Sequence, residues 1–551
     1  MQEPVTRSGP HQTRAVAIAL AARTGRKPRA IGRHVQAWAF AIGALVALDL
    51  AQGLVGPATG VAGGIGPQDV SWVDQFGTSG IDQGTAVALD ATGAYVAGDT
   101  FGSFPGATSS GGSDVFAARV GTNGDVAWVR QFGTSGFEQA TGIAVDATGA
   151  YVAGRTDGSF PGTTSSGGVD VFAARVGTNG DVAWVRQFGT SSFEQATGIA
   201  ADGTAIYVVG TTSGALPGQT QVGGTDAFLR RYDHDGNTVW TRQFGTTASD
   251  TATAVGVSAT GVYVAGYTSG ALPGQVQVGG FDAFIARYDA NGSAGWTRQF
   301  GTPGSDAGYG IAVDVSGVYT TGTTTGTFVG ERNAGGQDAF VRRLDFEGNE
   351  LWTREFGTPG FDYPRGVAVD ATPGFEGTYV VGGTFGTFPG WSNAGSQDVF
   401  AAMYDRGGHS VWVREFGSAA ADQALGVGTT FSDVYLIGLT NGAILGADSV
   451  GLRDAFLVKL ALGPLEKISL VVGEVARLMA NGTLNRGQGN SLTVKLEAAA
   501  ARLERGNPDT AINILHAFQN EIAAFTASGR LSADEGGLLT AWADNLIDQI
   551  D

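Results

Sequence analysis

Two acidic residues recur with a single period along most of the chain. Asp82, Glu138, Glu194, Asp250, Asp306, Asp362 and Asp422 each stand ten residues after a tryptophan, and Asp114, Asp170, Asp226, Asp282, Asp338, Asp398 and Asp454 form a second series. Carboxylates repeated in this way offer three kinds of chemistry. A ring of them would hold a hard cation such as Ca2+, which takes several oxygens, and the first series supplies the candidate metal ligands. In pairs they would act as general acid and base in glycoside cleavage. At the starts of turns they would accept backbone N–H bonds and fix the loops. The structural role is the stronger expectation, because Arg130, Arg186, Arg242, Arg298, Arg354 and Arg414 recur in register with the acids. A buried charge without a partner is costly, so an internal arginine–carboxylate pair is expected in each repeat. The repeat in which Asp74 replaces the arginine should lack it.

Other chemistry has little to stand on. Five histidines (His11, His34, His234, His409 and His516) have no repeated partner acid or nucleophile, and no Gly-x-Ser-x-Gly elbow is present. The absence of cysteine excludes disulfides, thiolate zinc sites, iron–sulfur clusters and cysteine nucleophiles. Asp233-His-Asp-Gly-Asn237 resembles a calcium loop but lacks the spacing and terminal glutamate of one, and Asp-Gly is what a tight hairpin requires. A net charge of −18 argues against nucleic acid as a partner.

A single site in a repetitive chain should show as broken symmetry. Glu331, Arg332 and Asn333, then Tyr363, Pro364 and Arg365, then Trp391 and Asn393 stand where other repeats place Gly, Ser, Thr or Gln. An aromatic flanked by Arg and Asn suits a sugar or peptide, since rings give area and polar groups give orientation. Glu331, Arg332, Asn333, Tyr363, Arg365, Trp391 and Asn393 are therefore the candidate ligand-binding residues.

The elements that position these residues follow from the tryptophans. Trp72, Trp128, Trp184, Trp240, Trp296, Trp352 and Trp412 are 56 residues apart five times and then 60. Each unit carries four short strand signals, here Thr141–Asp146, Ala150–Gly154, Asp170–Val176 and Val182–Phe188, with a long Gly/Ser/Thr/Pro loop from Arg155 to Val169. Such a period without helical patterning predicts a propeller, and many tight turns account for 90 glycines in 551 residues. The repeats begin with a fourth-strand sequence, Val70–Phe76, and end with a third-strand sequence, Asp454–Leu460. The N-terminal strand should therefore complete the last blade and close a seven-bladed ring of four-stranded blades. In such blades both acid series lie on one face of the disc.

The runs Trp128-Val-Arg-Gln-Phe-Gly133, Tyr151-Val-Ala-Gly154 and Gly224-Thr-Asp-Ala-Phe228 resemble the SBBP-type β-propeller repeat of bacterial and archaeal surface proteins. That resemblance implies an extracellular propeller of unassigned ligand, not a reaction. After Gly463-Pro464 glycine becomes sparse and a 3.6-residue period appears. Helices are expected from Ile468 to near Asn481, over Leu492–Leu503, from Pro508 to before Gly529, and after Ser532-x-x-Glu535, a capping box. Arg505-Gly-Asn-x-x-x-Ala511-x-x-x-Leu515-x-Ala-Phe518 is similar to the FIMAH-type helical domain of secreted bacterial proteins, departing from it at Gln519. The resemblance implies secretion and an attachment or assembly role.

Residues 1–36 carry seven basic side chains and one acid, and an apolar run, Trp38–Leu48, leads into small residues reaching Gly66. This reads as a secretory signal or a retained membrane anchor. The expected organisation is 1–66 signal or anchor with linker, 67–462 propeller and 463–551 a small all-α helical bundle. The expected function is a monomeric, secreted or cell-surface binding or adhesion propeller, non-catalytic and without a cofactor beyond the Ca2+ its acids could hold. Its expected ligand is an extracellular carbohydrate or protein. The alternatives are a polysaccharide-active enzyme and a structural surface scaffold.

Overall fold

The protein's computed structural model describes residues 70–370, 377–430 and 433–550. The expected signal or anchor in 1–66 lies outside the described residues. Seven four-stranded antiparallel sheets make up residues 70–461. Blades one to six span 82–132, 138–188, 194–244, 250–300, 306–356 and 362–416, each in sequence order from first strand to fourth. First strands of successive blades contact one another around the whole ring, so they form its inner wall, and the tryptophan-bearing fourth strands lie outermost. Blade seven takes Asp422–Thr429, Asp433–Thr440 and Asp454–Ala461 from the end of the repeats. Its outer strand is Val70–Phe76, antiparallel to Asp454–Ala461 with Phe76 opposite Ala455, so the N-terminal strand closes the ring as expected.

The first strands start earlier than their apolar patterning suggests. Blade two begins at Glu138, three residues before Thr141, because the ring acid itself opens the ladder opposite Thr156. Middle strands are buried on both faces, which is why they read as runs of Ala, Val, Gly and Tyr. Tyr95, Tyr151, Tyr207, Tyr263, Tyr319, Tyr379 and Tyr435 are almost wholly buried, each against the tryptophan of an outer strand at 5.9–6.3 Å between ring centroids.

The repeated arginines do not pair with the ring acids. Trp128 Nε1 donates to Thr178 O at 3.0 Å and Arg130 Nε to Gly180 O at 2.6 Å, both in the third-to-fourth hairpin of the next blade. Arg186, Arg242, Arg298 and Arg354 repeat the grip on Gly236, Gly292, Gly348 and Gly408. Carbonyls at a tight turn have no ladder partner, so a guanidinium satisfies them at the face opposite the acids. Gly180 must be glycine twice over: its φ is +85°, and a Cβ would sit 3.0 Å from the Trp128 ring. Asp74, in the position of these arginines, keeps Oδ2 buried without a hydrogen bond. Arg242→Ala removes the bonds to Gly292 O and Asn291 O, at 2.8 and 3.2 Å, and the stack on Trp240. It should cost about 1–2 kcal/mol, read as a melting midpoint a few degrees lower with ligand affinity unchanged.

Blade seven has no such hairpin, because its outer strand comes from the other end of the repeats. Arg414 of blade six instead ion-pairs with Glu466 on helix α1, Pro464–Ala480. Three more helices follow, α2 Arg486–Leu503, α3 Pro508–Ala527 and α4 Ala533–Ile550. The second starts six residues before the expected Leu492, since Asn485 and Gln488 form a reciprocal cap (3.0 and 2.9 Å) that the glycines around them obscure in the sequence. Leu515, Phe518, Ile522, Trp542 and Leu546 form the helical core, which is continuous with Leu460 and Leu462 at the end of blade seven.

Candidate ligand-binding face

The two acid series meet in pairs on one face. Asp114, at the end of the long loop of blade one, lies beside Glu138, the first residue of blade two, and Gly133 separates them. A Cβ on Gly133 would be 2.1 Å from Asp114 Oδ1 and 2.5 Å from Glu138 Oε2, so the Phe-Gly of the repeat is the space the carboxylates occupy. All fourteen acids are wholly buried. Glu138 accepts Thr134 N–H, Thr134 Oγ1 and Thr156 Oγ1, each at 2.6 Å. Asp114 Oδ2 accepts Ser110 N–H and Gln131 Nε2, each at 2.8 Å. The candidate metal residues thus spend their oxygens fixing the turns of their own blades. Among the described residues no three His, Asp or Glu converge as a metal cage. Burial first, and the facing carboxylate second, raise Asp338 and Asp398 above the usual range; burial likewise raises Asp306 and Asp362.

The glutamine of the Trp-x-Arg-Gln-Phe-Gly run completes each pair. Gln131 Oε1 accepts Phe104 N–H at 3.0 Å, and its amide donates to Gly102 O at 2.9 Å and to Asp114. Gln75, Gln187, Gln243 and Gln299 repeat the bond to the aspartate, each at 2.8 Å. Blades five and six have Glu355 and Glu415 instead. Glu355 Oε2 accepts Phe328 N–H at 2.9 Å and Glu415 Oε2 accepts Phe388 N–H at 2.7 Å, so the pose is kept. Burial, against the effect of that N–H bond and with the added push of the neighbouring aspartate, raises both carboxyls to about 7.

The loop residues singled out in the sequence divide into two groups. Glu331 Oε2 accepts Glu355 N–H at 3.1 Å and its other oxygen faces Arg354 at 3.6 Å. Asn333 donates to Gly326 O at 3.0 Å and Asn393 to Gly386 O at 3.1 Å, the carbonyls that glutamine serves in other blades. Trp391 donates Nε1 to Val413 O at 3.0 Å and packs on the blade core. Glu331 and Trp391 thus fasten long loops to the outer strands, Asn333 and Asn393 bond to the starts of their own loops, and Arg332 is exposed. Tyr363 and Arg365 stand elsewhere, on the inner strand of blade six.

Around Tyr363 and Arg365 the structure assembles an aromatic arc. Each first strand carries an irregularity at its fourth residue, and a bulge re-aims the side chain it holds. Blades one to four place Thr85, Thr141, Thr197 and Thr253 there, whereas blades five and six place Tyr309 and Arg365. The Arg365 guanidinium lies 5.5 Å from the Tyr309 ring and 6.0 Å from that of Tyr363. Tyr363 stacks on Phe361 at 6.3 Å and meets Phe385 edge-on at 6.1 Å. Tyr309 continues to Tyr267 at 6.4 Å, and Tyr267 to Phe281 at 5.5 Å. Phe281, Phe361 and Phe385 are 40–51% exposed. Comparing the repeats at the bulge position would have revealed Tyr309; Tyr267, Phe281 and Phe385 gather only through the ring.

A second, more polar cleft of about 360 Å³ lies between blades one and two, lined by Gln83, Asp99, Phe101, Phe137, Gln139 and Arg155. Both Asp99 oxygens accept Gln83 Nε2 at 3.0 Å, and burial outweighs that bond and the nearby Arg155 and Arg453, raising Asp99 to about 7.

Residues 469–548 match the FIMAH domain family. The regulatory protein FlaEY of Caulobacter vibrioides is 27% identical over 343 residues, which are 54% of this chain and 35% of the relative. The chain thus spans about a third of the length of the curated relative it matches. Among solved structures, the Neurospora crassa Pan2 WD40 domain aligns at 10% identity and a TM-score of 0.40, over 72% of this chain and 97% of that one. The phage phi92 endosialidase aligns at 11% identity and a TM-score of 0.38, over 71% and 69%.

Proposed function

We propose that this protein is an exported, non-catalytic binding propeller that holds an extracellular glycan across the aromatic arc of blades four to six. The observation that carries this reading is the arc itself: exposed rings gathered around one guanidinium, with Tyr309 and Arg365 at the bulge position where blades one to four present threonine. Sugar C–H faces stack on such rings, and Arg365 supplies donors to hydroxyl oxygens. The resemblance of the blades to SBBP-type repeats and the FIMAH domain at residues 469–548 support an extracellular setting, and the relative named a regulatory protein supports binding over turnover. An enzyme acting through the repeated acids is disfavoured, because those acids are wholly buried and bonded within their blades. Two nearly identical blades, sharing the strand Asp-Val-Phe-Ala-Ala-Arg-Val-Gly at 114–121 and 170–177, favour a scaffold as the second reading. A pull-down of the protein on cell-wall and plant polysaccharides, with calcium and with chelator, separates the two. The Tyr363→Ala, Arg365→Ala double variant should lose at least tenfold in affinity with its melting midpoint little changed, consistent with the loss of one stacking partner and one charged donor. Retention of the glycan by the variant would sink the proposal.

A further inference from the structure

Blades five and six differ from the other five at one buried atom each. Where glutamine Nε2 donates to the aspartate and to a loop carbonyl, Glu355 and Glu415 have an oxygen, Oε1, that is buried and has no hydrogen-bond donor. The kept pose puts each Oε1 in the position of the amide that faces the aspartate in the other blades, and Asp338 and Asp398 act as neighbouring charges on Glu355 and Glu415. Glu355 and Glu415 are 8% and 3% exposed, so water cannot separate the two carboxyls. Asn333 and Asn393 take over the loop carbonyl, leaving the glutamate Oε1 and the aspartate Oδ1 of each blade as buried oxygens without a donor.

We infer that each of these two blades holds a shared proton between its fourth-strand glutamic acid and its third-strand aspartate, and that releasing it above neutral pH loosens the strand that carries Tyr363 and Arg365. A protonated glutamic acid donates where glutamine Nε2 donates, so the neutral acid fits the repeat and the ionised one does not. Other groups facing Glu355 are Asp338, Glu331 and Asn333, whose amide favours the ionised form but is outweighed by burial; those facing Glu415 are Asp398 and Asp362. Cations of blade five are engaged elsewhere, Arg354 with Glu331 at 3.6 Å and Arg342 with Glu350 at 3.4 Å. No cation is among the charges that act on either glutamate, so proton loss leaves two facing carboxylates without a counter-charge. From blade five the strain reaches the arc directly, and from blade six it acts through the charge of Asp362 on Glu415. Asp338 abuts Asp362 across Gly357, where a Cβ would lie 2.7 Å from both, and Asp362 is the residue before Tyr363. The proton goes to solvent, and no other bond forms or breaks.

The direction follows from linkage. In the unfolded chain both glutamates ionise near 4.5, and in the fold near 7. A raised folded value means that the stability they contribute is complete below about 4.5 and is lost as pH climbs through about 7. The link to ligand grip rests on the glycan reading above, whereas the proton itself does not. The test compares the full chain with Glu355→Gln, Glu415→Gln, which installs the residue of the other five blades. Melting midpoints from pH 5.5 to 9 should fall by several degrees more in the parent than in the variant, and the parent's infrared spectrum should lose a buried carboxylic-acid C=O band over the same range. A bound glycan should elute from the parent at pH 8.5 and stay on the variant. Superimposable melting profiles, or no acid band at pH 6, would overturn the shared proton. If no glycan binds at any pH while the profiles differ, the glycan reading fails and the shared proton stands.

Discussion

Deleting Val70–Phe76 should abolish a stable propeller, with the cooperative transition shifted down by more than ten degrees or lost. Seven residues are removed, yet the strand holds two blades together. Its ladder to Asp454–Ala461 supplies the whole outer edge of blade seven. Gln75 Nε2 donates to Gly442 O at 2.7 Å and Asp454 at 2.8 Å, and its Oε1 accepts Ile444 N–H at 3.1 Å. Trp72 Nε1 reaches Thr122 O of blade one at 3.0 Å, and Phe76 lies 5.9 Å from Phe116 of the same blade. Without the strand, Asp454 keeps its burial but loses a charge-assisted donor, and the edge of the third strand is open to other chains. The loss is on the order of 5 kcal/mol or more, a large part of what usually keeps a domain folded. Thermal unfolding followed by circular dichroism, with light scattering to detect edge pairing, reads the result. An unchanged midpoint would show that the ring does not depend on this closure.

Gly133→Ala should destabilise the propeller by about 3 kcal/mol. The new carbon would stand 2.1 Å from Asp114 Oδ1 and 2.5 Å from Glu138 Oε2. Neither carboxylate can retreat, because Glu138 is held by three donors from Thr134 and Thr156 and Asp114, through Oδ2, by Ser110 and Gln131. Moving either acid would strand a buried charge. Gly357→Ala, at 2.7 Å from each of its two acids, should cost less. Gly224→Ala meets nothing within 4 Å and should be neutral. Urea midpoints ranked in any other order would contradict the view that this glycine exists to admit a carboxylate pair.

The sequence by itself determined the ring. A tryptophan every 56 residues, four strand signals per unit and a fourth-strand sequence standing first leave one way to satisfy the edges, and the observed closure follows it. Both acid series on one face, and the capping box at Ser532 and Glu535, were legible for the same reason: they depend on local spacing and on turn chemistry. What only the tertiary structure decided lies between blades. The arginines grip the carbonyls of the neighbouring hairpin, some fifty residues on, because those carbonyls have no ladder partner, and no spacing within a repeat shows that need. Glu331 and Trp391 bond to the outer strand, and Asn333 and Asn393 to carbonyls of their own loops, partners that the one-dimensional pattern of substitutions does not show. Tyr267, on the second strand of blade four, and Tyr309, Tyr363 and Arg365, on the first strands of blades five and six, become neighbours only when the ring brings the blades side by side. Glu355 and Glu415 were in plain view as Gln-to-Glu changes in the motif. Their meaning required knowing that the amide nitrogen they lack faces a buried carboxylate.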